Sequence, residues 1–345
     1  MIKDKTGYRM NNEEPLEKVK RTIEKEGAKG WSLAKETLLN QETRSLQLKE
    51  AMSHITLKPD YFRPAMVSFC CTAVGGDPEV TIPTSASLIL FAKAIGIHDD
   101  IIDHMKKRKK HATAFGKFGK EIALVLSDVL LFKGFTLLRK NLEIGISPTT
   151  VGRILDTINH VWFEQSESEV LELHSRKNMN VSPQECLTKI GMRASEFEAI
   201  TRIGGILGSG PEKEIEHLGF YGRLVGTASL LRDELIDMLE FDVLKHRIRN
   251  ESLPLPMICA MQDTKARTGI LSLLSKANLT VKDLKKISRI TDKAGGMDYV
   301  AERIRKMVDD ACLHLRVFKN KEELMLISSS LEITHQEWRH VLKST

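Results

Sequence analysis

The sequence predicts an all-α protein, with residues 1–345 forming a single domain of ten or more helices. Apolar residues recur at steps of three and four in almost every segment. Alternating strand patterns bounded by tight-turn signals are absent. Ser-Pro pairs at 147–148 and 182–183, and glycine–proline breaks at 75–78 and 208–211, are typical of helix ends.

The individual elements follow from the same periodicity. Residues 1 to about 25 are highly charged, and we expect a loosely held first helix there. Ser147 and Ser182 are predicted N-caps that precede a proline, and Thr280 and Ser288 are predicted N-caps of later helices. Apolar periodicity predicts helices over 48–55, 65–73, 86–102, 121–138, 149–173, 184–207, 214–239 and 324–342.

The composition is that of an ordinary globular protein, with 41% hydrophobic and 28% charged residues. The net charge of +6 does not demand a nucleic-acid partner and suits diphosphate ligands. Five cysteines, with no C-x-x-C pair, indicate neither a disulfide framework nor a zinc site. The N-terminus lacks an apolar signal region, and no stretch reaches the ~18 uninterrupted apolar residues of a membrane span. We therefore expect a cytoplasmic protein without a transmembrane segment.

A first cluster of acids, Asp99-Asp100-x-x-Asp103, ends a strongly apolar helical segment. Asp99 and Asp103 are four residues apart and share one helix face. Carboxylates at this spacing suit Mg²⁺, which binds a few carboxylates together with phosphate oxygens and water. Alone, such a motif is equally well explained as a solvated helix end.

A second cluster, Asp233-Glu234-x-x-Asp237, repeats the spacing about 130 residues later and also follows an apolar segment. Two matched clusters on separate helices predict one cavity in which several Mg²⁺ ions clamp a diphosphate. Divalent ions and cationic side chains would then stabilise the leaving diphosphate as the carbon–oxygen bond breaks.

A basic run at 106–110 follows the first cluster immediately. It could be a solvated loop, a localisation or nucleic-acid patch, or a grip on phosphate oxygens. Its position favours phosphate binding by Arg108 and Lys109, because arginine forks onto phosphate and lysine acts as a point charge.

In this order, the motifs resemble those of the trans-isoprenyl diphosphate synthases, the polyprenyl synthetase family, over about residues 57–257. Asp99–Asp103 looks like the family's first aspartate-rich motif, and 232–237 looks like the second. Arg108-Lys109 stands where the family has an arginine pair, and Ser252-Leu253-Pro254 resembles its Thr-Leu-Pro.

The resemblance implies the isoprenoid synthase bundle around a central cavity. It also implies Mg²⁺-assisted ionisation of an allylic prenyl diphosphate, followed by capture of the cation by isopentenyl diphosphate. The implied residue roles are: catalysis by Asp99, Asp103 and Asp233; Mg²⁺ binding by Asp99, Asp100, Asp103, Asp233, Glu234 and Asp237; and diphosphate binding by Arg63, Arg108, Lys109 and Arg193.

Departures from the family pattern fall on the isopentenyl diphosphate half of the site. The family's Gly-Gly-Lys-x-x-Arg is Lys58-Pro59-Asp60-Tyr61-Phe62-Arg63 here, so the arginine is kept and the lysine is Asp60. Ala92 and Met192 also replace polar family residues. A carboxylate in place of a lysine replaces attraction for a diphosphate with repulsion, and each such contact is worth roughly 4 kcal/mol at 4 Å and a dielectric of 20.

Residues just before the first motif are implied to form the wall that stops the growing prenyl chain. These are Phe91, Ala94 and Ile95. The small Ala94 predicts an open tunnel and a long product, although a packing alanine explains it equally well.

Three functions remain open. The first is chain elongation, by a homodimer or with a homologous partner subunit that completes the isopentenyl diphosphate site. The second is a class I terpene synthase, which Asp60 favours but the 6% aromatic content disfavours, because cyclases line their cavities with aromatic rings. The third is a regulatory subunit, which has no need of intact acid clusters. We predict the first.

Overall fold

A computed structural model of the chain describes residues 13–108, 111–176, 178–332 and 338. The predicted all-α bundle is confirmed, since helices make up about three-quarters of the described residues and the strands among them are one two-residue pair. The first half contains α1 (Glu13–Leu39), α2 (Leu46–Ile55), α3 (Phe62–Ala73), α4 (Ile82–Ile102), α5 (Ala114–Phe118), α6 (Lys120–Leu138), α7 (Lys140–Glu143) and α8 (Pro148–Ser175).

The second half continues with α9 (Pro183–Arg193), α10 (Ser195–Leu207), α11 (Glu212–Asp237), α12 (Phe241–Asn250), α13 (Leu255–Ala260), α14 (Thr264–Leu274), α15 (Val281–Lys293), α16 (Gly296–His314) and α17 (Glu322–Ser329). Short 3₁₀ turns cover Pro78–Thr81 and Leu315–Val317. Of the predicted caps, Ser147, Ser182 and Thr280 each accept a hydrogen bond from a backbone N–H of the first turn, as expected.

Helix α4 carries the first acid cluster and is held between α1, α3 and α6. Its path is fixed by Ser127 of α6, whose hydroxyl donates to the Ala94 carbonyl at 3.1 Å. The segment Pro78–Ile102 is long and apolar enough to cross a membrane by length and composition, which differs from the sequence expectation. However, 67% of its most apolar window is buried inside the protein, as in a core helix.

Helix α11 carries the second acid cluster and packs closely on α10 and α16. Two glycines allow the close approach to α10. A Cβ atom at Gly222 would lie 2.2 Å from Thr201 Oγ1, and one at Gly226 would lie 2.7 Å from the Cβ of Phe197. These glycines fix the position of α11 and therefore of the carboxylates at its end.

The structure corrects four expectations. The helix predicted over 184–207 is divided at Ala194 into α9 and α10. Ser288 lies inside α15, where its hydroxyl bonds the carbonyls of Met238 and Leu284, so it is not an N-cap. In the charged first segment, Val19 and Ile23 are buried, so this part of α1 belongs to the core. A two-residue hairpin, β1 (Lys107–Arg108) antiparallel to β2 (His111–Ala112), occupies the basic run.

Part of the predicted last helix lies outside the described residues. Within the predicted range 324–342, α17 ends at Ser329 and the described residues 330–332 are not helical, so the prediction was wrong there. All five cysteines are free, as the sequence indicated.

Candidate active site

The first acid cluster sits at the C-terminus of α4. The Asp103 amide donates to the Asp99 carbonyl at 2.8 Å and closes the last turn. The chain then leaves the helix through His104, which has a left-handed φ of 54°. A helix C-terminus carries partial negative charge, so carboxylates placed there need cationic partners.

The second acid cluster has the same setting at the C-terminus of α11. Asp233, Glu234 and Asp237 are half-buried, and Glu234 Oε2 accepts a hydrogen bond of 2.7 Å from the Leu255 amide. That bond ties the cluster to the segment after Ser252-Leu253-Pro254. The backbone N–H of Ser252, the first residue of that motif, donates a hydrogen bond of 2.9 Å to Glu172 of α8.

Two adjacent residues of α12 connect the clusters. His246 Nε2–H donates to the Asp103 carbonyl at 3.0 Å. Its Nδ1 accepts from Asn250 at 3.2 Å, which fixes this tautomer. The next residue, Arg247, donates to Glu234 at 2.7 Å and to Asp237 at 3.1 Å. Helix α12 therefore contacts both clusters, and their use as one metal-binding site stays a prediction.

A third wall of the site comes from α8 and α9. Arg176 donates to Asp103 Oδ1 and, at 3.2 Å, to the Ile102 carbonyl, so it both neutralises the first cluster and caps α4. Arg193, at the end of α9, is exposed, and its charge partly opposes the burial that raises the pKa of Asp99. Lys189 of α9 donates a hydrogen bond of 2.6 Å to Glu172 of α8, which joins these two helices.

Carboxylates outnumber the arginines Arg108, Arg176, Arg193 and Arg247 that face them, and the pKa values reflect this excess. Burial raises the pKa of Asp99 to about 6, and Asp103 adds to the shift. Burial raises the pKa of Glu169 to about 7, with Asp99 and Asp103 contributing. Glu251 also has a pKa of about 7 through burial, and the charges of Asp103 and Asp237 from both clusters raise it further.

This excess of negative charge fits a need for divalent cations. Within the described ranges, no three His, Cys, Asp or Glu side chains converge closely enough to hold a metal by themselves. Mg²⁺ usually takes one or two carboxylates and completes its octahedron with water and substrate phosphate oxygens. The donor set, which is all oxygen and split between two helices, suits that mode of binding.

Arg108 lies in the basic hairpin beside the first cluster, where its Nε donates to Asp100 Oδ1 at 2.8 Å. Its side chain is 56% exposed, so the remaining guanidinium N–H groups are open to a ligand. Lys106 points instead over the Phe115 ring, 5.9 Å from its centroid. Lys109 lies outside the described residues.

Arg63 is tied to two carboxylates. Its Nη1 donates to Asp60 at 2.5 Å and its Nε donates to Glu196 at 2.6 Å. The side chain is only 26% exposed. Asp60 and Glu196 therefore neutralise Arg63, and Lys93 is the further cation whose charge acts on Asp60 and Arg63.

The predicted chain-length residues lie on α4 above Asp99. Phe91 is buried against Gly134 and makes an edge contact of 4.8 Å with Phe135 of α6. Ala94 is fully buried against Ser127, and Ile95 is half-buried one turn before Asp99. Their role in product length stays a prediction.

Several site residues were missed by sequence reasoning. Glu169, Glu172 and Arg176 form a polar stripe on α8 at steps of three and four, and this inward stripe was the available signal. His246, Glu196 and Glu251 gave no comparable signal, because each meets its partner only through the fold.

Comparison with known proteins agrees with the geometry. A sequence model described as polyprenyl synthetase matches residues 45–291. The geranylgeranyl diphosphate synthase of Methanosarcina mazei is 24% identical over 267 residues, which cover 77% of this chain and 82% of that protein.

Solved structures share the fold. The geranylgeranyl pyrophosphate synthetase of Pyrococcus horikoshii superposes with a TM-score of 0.82 at 24% identity, over 93% of this chain and all of that one. The polyprenyl synthase of Caulobacter crescentus, solved with calcium and isoprenyl diphosphate, gives 0.77 at 19% identity, over 92% and 97%.

Proposed function

Since this chain belongs to the polyprenyl synthetase family, we propose that it uses Mg²⁺ to ionise an allylic prenyl diphosphate and extends the cation with isopentenyl diphosphate. It is an enzyme, a prenyltransferase of the polyprenyl diphosphate synthase type. The observation that carries the proposal is the α12 bridge, in which His246 holds Asp103 while Arg247 holds Glu234 and Asp237.

Six carboxylates would hold the metal ions together with the substrate diphosphate. Asp99 and Asp103 present one face of α4, and Asp233 and Asp237 present the matching face of α11, with Asp100 and Glu234 completing the clusters. Bound Mg²⁺ supplies positive charge that stabilises the departing diphosphate. The calcium and isoprenyl diphosphate in the Caulobacter crescentus structure support a divalent ion at this site.

Arg108 and Arg193 are the proposed diphosphate contacts from the chain itself. Both are exposed beside the first cluster, and both act on the charge of Asp99. An arginine at that position can donate two parallel hydrogen bonds to the diphosphate oxygens as negative charge develops on them. From the sequence, Lys109 is proposed to share this role.

The isopentenyl diphosphate half of the site is proposed to need a second subunit. Arg63 is neutralised by Asp60 and Glu196, so the isolated chain offers that substrate little attraction. Exposed aromatic residues on α6 and α8 give a homologous subunit, or a second copy, an apolar surface to cover: Phe132 is 75% exposed and Phe163 is 68% exposed.

A class I terpene synthase is the second candidate, and the neutralised Arg63 is what favours it. An enzyme that ionises its substrate without a co-substrate has no use for a second diphosphate pocket. The low aromatic content still disfavours a cyclase.

The test is a product analysis of the purified chain, alone and mixed with a homologous subunit, with Mg²⁺ and allylic diphosphates of several lengths, with and without isopentenyl diphosphate. We expect a longer prenyl diphosphate only when isopentenyl diphosphate is present, formed slowly by the chain alone and faster by the mixture. A hydrocarbon or alcohol formed without isopentenyl diphosphate would establish the terpene synthase instead. Absence of a longer product from both the chain and the mixture would overturn the proposal.

Neutralising either acid around Arg63 is expected to improve the use of isopentenyl diphosphate. Glu196→Gln and Asp60→Asn each remove one negative charge and keep a hydrogen-bonding group beside Arg63. We expect KM for isopentenyl diphosphate to fall about 10-fold, since like charges in one pocket cost several kcal/mol. The KM for the allylic substrate should stay constant.

Glu212→Gln is the matched control, because Glu212 of α11 pairs with Arg153 of α8 in an exposed ion pair. It should change neither KM value. Unchanged KM for isopentenyl diphosphate in both pocket variants would show that Asp60 and Glu196 do not limit its binding.

A further inference from the structure

The basic hairpin and its neighbours form a surface that the proposed chemistry leaves mostly unused. Residues 104–120 contain seven Lys or Arg residues and no Asp or Glu. Arg108 serves the site, whereas Lys106, Lys107 and Lys117 are exposed. We call these three lysines, together with Arg108 and Leu57, the basic surface.

Three elements hold the basic surface together. His54 near the end of α2 donates its Nε2–H to the Ala112 carbonyl of β2 at 3.0 Å. The His54 ring also meets Phe118 of α5 edge-on at 5.6 Å. Two of the three lysines lie over aromatic rings of α5: Lys106 over Phe115, and Lys117 with its Nζ 5.1 Å from the centroid of Phe118. The aromatic rings beneath these lysine side chains hold them in place on the surface.

An exposed apolar side chain follows His54, the residue of α2 that contacts the hairpin. Leu57 follows α2 and is 74% exposed, next to Lys58, whose charge acts on Asp100. Arg108 connects the other side of the surface to Asp100 at 2.8 Å. The basic surface is therefore continuous with the first acid cluster at the mouth of the proposed site.

We propose that the basic surface docks the protein on an anionic phospholipid membrane, with the first acid cluster at the lipid interface. Clusters of four to eight Lys or Arg residues are typical of binding to acidic lipid headgroups. The exposed leucine favours lipid over nucleic acid, because it can enter the headgroup layer but gains nothing against a phosphodiester backbone. Docking would let a membrane-borne prenyl diphosphate enter the site from the bilayer.

The use of this surface rests on the proposed prenyl substrate, but docking can be measured without any turnover. The chain is sedimented with sucrose-loaded vesicles of phosphatidylserine and phosphatidylcholine, and with vesicles of phosphatidylcholine alone. We expect binding to the acidic vesicles only. Binding should be lost between about 0.1 M and 1 M NaCl, where the Debye length falls from about 10 Å to about 3 Å.

Charge reversal locates the binding surface. Lys107→Glu with Lys117→Glu should lower the partition coefficient about 30-fold or more, since each lysine near an acidic surface contributes about a fivefold step. Lys282→Glu with Lys286→Glu makes the same charge change on exposed positions of α15 and should leave binding nearly unchanged. Circular dichroism confirms folding, and Lys→Gln replacements repeat the test if a reversal variant unfolds.

Three outcomes would overturn the proposal. One is equal binding to both vesicle types. Another is an equal loss of vesicle binding in the α15 control variant, which would show that binding depends on net charge alone. The third is binding of a short RNA duplex through the same lysines with no vesicle binding. Loss of prenyl transfer in the product assay, with docking intact, would instead count against the proposed function alone.

Discussion

Asp103→Asn is expected to lower kcat by about 10³-fold or more with the fold intact. The change removes a charge from the face of α4 that we propose binds Mg²⁺ and the substrate diphosphate. Asn keeps the size and one acceptor oxygen, so the loss is electrostatic. Asp99→Asn should have an effect of similar size, because Asp99 lies one turn earlier on the same face.

The measurement is single-turnover kinetics with a short allylic diphosphate at saturating Mg²⁺. Asp156→Asn on the exposed face of α8 is the control and should match the wild type. Thermal melts should show that both Asp variants fold, since Arg176 retains the Ile102 carbonyl as a partner. Turnover near the wild-type rate in both variants would rule out the metal-binding role of the first cluster.

The helical fold was predictable because the sequence patterns that specify helices extend over only a few residues. Apolar steps of three and four, together with caps such as Ser147 and Ser182, specify helices over short windows. The errors fall where local signals are ambiguous. Ala194 interrupts a continuous apolar pattern, and Ser288 looks like a cap until α15 places its hydroxyl on the Met238 carbonyl.

The acid clusters were predictable for the same reason, since each is a short motif at the end of an apolar helix. Their partners were not. His246 lies 143 residues from Asp103, and Glu196 lies 133 residues from Arg63. Contacts between residues so far apart in the chain depend on how α12 and α10 pack. Short sequence patterns do not predict that packing. The sequence indicated that Asp60 weakens the isopentenyl diphosphate pocket, but Glu196, the second acid, entered only with the structure.

Arg247 is the residue whose loss should destabilise the protein most within the site. Its side chain is 11% exposed and donates to Glu234 and Asp237, with Glu251 3.3 Å away. Removing one partner of a buried ion pair leaves the other charges uncompensated, which typically costs about 3–5 kcal/mol. Burial raises the pKa of Glu251 to about 7, and the negative charges of Asp103 and Asp237 add to the shift.

Arg247→Met is therefore expected to lower the free energy of unfolding by about 3–5 kcal/mol at pH 8. The loss should be smaller at pH 5, because Glu251, with a pKa of about 7, is then protonated and fewer negative charges remain unpaired. Urea unfolding at both pH values measures the difference. Arg249→Met changes the same side chain two residues later at an exposed position of α12 and should cost little. Equal stability losses in the two variants, or a loss independent of pH, would mean that Arg247 acts through packing and not by neutralising the second acid cluster.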